Sequence, residues 1–131
     1  MTLIKFTAVL IIVSFSTTAL AQNKAEIAGT WKGSSICQIK DSPCHDEIAV
    51  YHVFIIEGTD SLRFVMNKIV NNIEEEMGTT IFYFDAGKQT LVSKDPVRNA
   101  DWNFHAEGKQ MKGTLVYKNR LYRVVDLRKQ D

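Results

Sequence analysis

Ile48-Ala49-Val50-Tyr51-His52-Val53-Phe54-Ile55-Ile56-Glu57-Gly58-Thr59-Asp60-Ser61-Leu62-Arg63-Phe64-Val65-Met66-Asn67 holds two β-favouring runs on either side of Gly58-Thr59-Asp60. In the second run Leu62, Phe64 and Met66 alternate with Arg63 and Asn67, the period of a strand with one buried face. In the first, Tyr51, Val53 and Ile55 alternate with Val50, His52, Phe54 and Ile56, so both faces are largely apolar. Gly58 and Asp60 are residues that make a tight reversal cheap. The stretch therefore predicts an antiparallel hairpin.

The same grammar repeats on both sides. Residues 28–36, 48–57, 62–71, 78–85, 90–93, 102–106, 110–117 and 121–127 are rich in strand formers. Between the later runs, short segments at 71–72, 86–88, 95–96, 107–109 and 118–120 carry Gly, Asn, Asp or Pro. Helical periodicity is weak. Its best candidate is residues 70–77 with Glu74-Glu75-Glu76, where β-branched neighbours and Gly78 oppose a stable helix. Residues 22–26 read as a loose leader. Connections this short predict that consecutive strands pair antiparallel. Closing the sheet removes the exposed edges an open one would leave. The expected fold class is all-β, an antiparallel up-and-down barrel of about eight strands, in one domain over residues 22–131.

Ahead of that domain lies the pattern of a secretory signal. Lys5 supplies a positive n-region, residues 6–15 are largely apolar, and Ala19-Leu20-Ala21 is a small-x-small cleavage site. The apolar stretch is short of the roughly 20 residues a bilayer span needs. No cysteine follows Ala21, which argues against a lipid anchor. The expected location is secreted or periplasmic, with residues 1–21 removed and no stable membrane span left. The two cysteines, Cys37 and Cys44, flank the turn Asp41-Ser42-Pro43, and in an oxidising compartment they are expected to form a local disulfide. With 16 basic and 15 acidic residues the chain carries a net charge of +1, which makes no electrostatic case for nucleic acid or an anionic membrane surface.

The first strand opens with Ala28-Gly29-Thr30-Trp31-Lys32-Gly33. Here the chain resembles the lipocalin and wider calycin group, whose first strand carries Gly-x-Trp at the closed end of the barrel. The resemblance implies that an arginine on the last strand packs across Trp31, with Arg123 the better placed candidate and Arg128 the other. The chain is shorter than a usual lipocalin and lacks a Thr-Asp-Tyr type motif and a C-terminal helix pattern. Avidins share Gly-Thr-Trp, but Lys32 stands where they carry asparagine, so biotin binding is not implied. As a whole the chain resembles small secreted bacterial lipocalin-like barrels with a Ser-Pro-Cys-His-Asp-Glu turn.

Strands apolar on both faces imply either a hydrophobic cavity inside the barrel or a partner packed outside it. The cavity reading makes the protein a non-enzymatic binder of a small hydrophobic or amphipathic ligand. Its candidate lining is Tyr51, His52, Phe64, Met66, Phe82, Phe84, Trp102 and Phe104. The alternative is a protein-interaction module, an inhibitor or envelope-associated partner, with a filled core and the Ser42–Glu47 turn as contact. An enzyme using His52 or His105 as a base ranks third, because no nucleophile elbow, phosphate loop or His-Glu-x-x-His motif occurs. Cys37, Cys44 and His45, with Asp46, Glu47 or His52, are zinc-type donors, but oxidation consumes the thiolates and the spacing matches no common structural zinc pattern. No metal or cofactor is expected, and Asp46 and Glu47 are read as capping or solvating the second strand.

Overall fold

Tyr51 stands opposite Met66 and Val53 opposite Phe64 in the computed structural model, so the opening stretch is the hairpin its alternation predicts. The structure describes residues 11–15 and 22–131, and most of the expected export signal, including its cleavage site, lies outside the described residues. A short helix α1 (Lys24–Ile27) leads into β1 (Gly29–Cys37), β2 (Glu47–Ile55), β3 (Ser61–Val70), β4 (Ile73–Asp85), β5 (Thr90–Asp95), β6 (Ala100–Glu107), β7 (Gln110–Tyr117) and β8 (Arg120–Lys129). All neighbours pair antiparallel, and β8 returns to β1 to close the barrel. Among the described residues no helix is long and apolar enough to cross a membrane.

Two glycines on the inner face let the barrel close over a bulky interior. A Cβ on Gly33 would lie 1.9 Å from the backbone oxygen of Asp126, because β1 and β8 approach closely where they seal. A Cβ on Gly113 would lie 2.4 Å from the ring of Phe104, which sits over that glycine from the neighbouring strand. The freed space holds an aromatic cluster. Phe64 and Phe82 have ring centroids 4.2 Å apart, and Phe104 lies 5.6 Å from Phe82. Each such fully buried side chain contributes roughly 1.5–3 kcal/mol relative to exposure.

One end is shut by α1, so residues expected to be a loose leader carry an ordered cap. Asn23 and Glu26 form a reciprocal capping box, and Ile27 is fully buried. Trp31 donates its indole N–H to the Ile27 carbonyl over 2.8 Å. The arginine expected across Trp31 is elsewhere. Register places Arg123 opposite Cys37, at the far end of β1, whereas Lys129 stands opposite Trp31 and donates to the Glu26 carbonyl. Arg128 stands opposite Lys32, one residue out of phase with the inward row. A one-residue step reverses the face, and six residues along a strand is about 20 Å, so Arg123 and Trp31 serve opposite ends.

The second departure is β4, which begins at Ile73 rather than Gly78. Asn71 and Asn72 take φ of 51° and 64°, the two left-handed residues of a tight hairpin turn. β3 stays paired with β2 up to Ile69, whereas β4 parts from β5 beyond Tyr83, and its triple glutamate is tolerated because residues 73–79 are all exposed. A bulge between Met66 and Asn67 shifts the β3–β4 register on the way to the turn. Closure at Gly33 gives the fold's sharpest test. Gly33→Ala is expected to cost at least about 2 kcal/mol in urea unfolding, since its contact is backbone and cannot swing away. A loss below about 0.5 kcal/mol would show that the seam is looser than described.

Candidate functional site

Strand parity sorts the open end of the barrel. Ser35 lies four residues beyond Trp31 on β1, and Glu47 four before Tyr51 on β2, so both continue the inward rows. With Met66 from β3, Gly78 to Thr80 from β4, Trp102 from β6 and Arg123 from β8, they surround a cavity of about 440 Å³. Arg98, from the turn between β5 and β6, stands at its rim. The aromatic cluster packs beneath the lining residues Tyr51 and Trp102. Tyr51 lies 6.3 Å from Phe104 edge-on, and Trp102 stacks on Phe104 at 5.8 Å.

The cavity wall is polar on one side. Arg123 is only 11% exposed and Glu47 15%. The Arg123 Nη1 donates to the Ser35 carbonyl, the Ser35 hydroxyl and the His45 carbonyl at 3.3, 3.2 and 3.0 Å. Its Nη2 lies 3.4 Å from Glu47 Oε1, and Lys68 Nζ approaches the same oxygen to 3.7 Å. Charges this far from water persist only when paired and hydrogen-bonded. Burial holds the Tyr51 phenol well above its ordinary pKa, Glu47 adds to the rise, and Arg123 partly offsets it. The Tyr51 hydroxyl therefore stays protonated beside both charges.

Of the eight residues expected to line a cavity, the structure brings three together: Tyr51, Met66 and Trp102. Phe64, Phe82 and Phe104 fill the core instead, being too deep to meet the cavity. Phe84 lies toward the α1 end, beside a shallow recess with Asn23, Lys24 and Asp60. His52 is on the outer wall. Its Nδ1 is 3.1 Å from the Thr30 hydroxyl and its Nε2 is 2.9 Å from Glu74, to which Asn67 also donates. These two hydrogen bonds, His52 first, hold the Glu74 carboxyl below its usual pKa. They tie the start of β4 to β2 and β3. His105 is exposed on the outside of the barrel.

Glu47 does not cap or solvate β2 as expected but turns inward to Arg123. Asp46 holds the end of β1 rather than the start of β2, accepting from the Cys37 backbone N–H at 2.9 Å. Cys37 and Cys44 form the expected disulfide, with Cα atoms 5.9 Å apart, at the open end of the barrel. Their sulfurs are thus committed to each other. The sequence reading missed Ser35, Glu47, Thr79, Thr80, Arg98 and the inward place of Arg123. Counting by twos from Trp31 and Tyr51 would have found Ser35 and Glu47. Comparison with known protein families, known proteins and solved structures finds no match for this chain.

The buried phenol makes stability depend on alkaline pH. In the unfolded chain a tyrosine ionises near pH 10, whereas Tyr51 in the native state holds its proton higher. The unfolded state therefore releases the proton first. The contribution is complete below about pH 10 and is lost as pH rises above it. Urea midpoints measured from about pH 8.5 to 11 are expected to fall more steeply for the wild type than for Tyr51→Phe. Equal slopes would place the hydroxyl in water.

Proposed function

We propose that this is an exported, lipocalin-like binding protein that holds one small amphipathic molecule at the open end of its barrel. The observation that carries the reading is the cavity itself. At about 440 Å³ it falls in the range of roughly 300–1,000 Å³ typical of small-molecule pockets. Its wall divides by chemistry, with Met66 and Trp102 offering apolar surface and Ser35, Glu47 and Arg123 offering a few convergent polar groups. The other end is shut by α1 and Trp31, which leaves the ligand one way in. The Cys37–Cys44 disulfide suits an oxidising compartment, which supports export to the periplasm or beyond.

A role as a protein-docking module through the Ser42–Glu47 turn has less support. The Ser42 hydroxyl donates to the Ile39 carbonyl and accepts from the Cys44 N–H, Asp46 holds Cys37, and Glu47 points inward. Few polar groups of that turn are left for a partner. The enzyme reading loses its bases, since His52 and His105 both face away from the cavity.

Nile red, a neutral environment-sensitive dye, tests the binding role directly. Purified protein is expected to bind it saturably with one site and a blue-shifted emission. Thr80→Trp, which places a large side chain in the cavity wall, is expected to weaken that affinity by roughly tenfold or more without changing the thermal midpoint by more than a few degrees. Absence of saturable binding, or equal binding by the variant, would reject the proposal.

A further inference from the structure

Charged groups gather at the open end of the cavity. Glu47, Arg98 and Arg123 line it. Lys68 stands 3.7 Å from Glu47 and opposite Glu75 of β4, and Asp95 stands 3.7 Å from Arg98. Lys68 thus shares the one carboxylate that faces Arg123. The hydrogen bonds of the Arg123 guanidinium are uneven. Nη1 serves three acceptors, whereas Nε and Nη2 donate no hydrogen bond among the described residues, the Glu47 contact being a loose ion pair at 3.4 Å. A guanidinium carries five N–H donors in a planar fork suited to a carboxylate or similar oxyanion. Nearly buried and with its second edge unspent, Arg123 is poised to receive such a group.

Resting on the binding role above, we infer that the ligand is an anionic amphiphile, its oxyanion head on Arg123 and its apolar body against Met66 and Trp102. Tyr51, which lines the same cavity, offers its phenol O–H as a second donor to that head. An ammonium head would instead meet the Arg123 guanidinium, whose facing carboxylate Glu47 is already shared with Lys68. Glu47 plays a distinct part. It neutralises Arg123 in the empty cavity and competes with the incoming anion, so its removal should strengthen anion binding. That opposite sign separates an anion site from a merely structural ion pair.

Isothermal titration with decanol, decanoate and decylamine, which share one chain and differ in the head group, decides the matter. The wild type is expected to bind decanoate roughly tenfold or more tightly than decanol, and decylamine most weakly. Arg123→Gln is expected to remove the preference for decanoate while keeping decanol binding. Glu47→Gln is expected to raise decanoate affinity several-fold and leave decanol unchanged, a readout that serves even if the Arg123 variant does not fold. A naphthoate arm distinguishes a chain-like from an aromatic body under the same head. Decanol binding as tightly as decanoate would overturn the anion assignment and leave the binding role standing. Failure of all four molecules to bind would overturn both.

Discussion

The seam between β1 and β8 is the constraint on which the rest depends. Without it the eight strands would form an open sheet with two unpaired edges, and the inward rows would not converge on a common interior. The seam requires Gly33, because the Asp126 backbone occupies the space a side chain would need. It also fixes the register that puts Lys129 at the α1 end and Arg123 at the open end. The short helix then has a closed surface to cap, and the Trp31 indole finds the Ile27 carbonyl.

Inside that enclosure the filling is graded along the axis. Trp31, Leu127 and Ile27 pack the α1 end, the Phe64–Phe82–Phe104 cluster fills the middle, and the open end is left to Tyr51, Met66, Trp102 and the charged group around Arg123. The gradient explains how one small barrel combines a filled apolar core with an open cavity. It also explains why buried charge is tolerated. Arg123 sits within reach of the Ser35 carbonyl on β1 and the His45 carbonyl in the turn before β2, and both help hold it. An apolar side chain there would leave Glu47 with only the more distant Lys68.

How much of this could be read beforehand depended on range. The hairpin from Ile48 to Asn67 was plain because strand parity is a local property, and so was the disulfide, whose partners are joined by one turn. The extension of β4 to Ile73 was hidden because Glu74-Glu75-Glu76 looks like a solvated turn, and only a segment paired on one side and exposed reconciles it with a strand. His52 was misplaced for a subtler reason: β2 is apolar on both faces, so alternation alone could not tell inside from outside. Val50 and Phe54 share the outer face with His52, and Val50 is buried there all the same. Arg123 was assigned to the wrong end because a residue's height in a barrel is set by the register of the closing strand, a non-local quantity. Glu47 was within reach, since it lies in phase with Tyr51, but a carboxylate at a strand start is read by default as solvated.

The central claim is that ligand enters the open end and leaves the aromatic core undisturbed. Methionine methyl NMR tests it most directly, because Met66 and Met77 line the cavity whereas Met111 is fully buried in the core. Titration with decanol is predicted to shift the Met66 and Met77 methyl signals saturably while Met111 stays in place. A shift confined to Met111, or no saturable shift at Met66, would contradict the account.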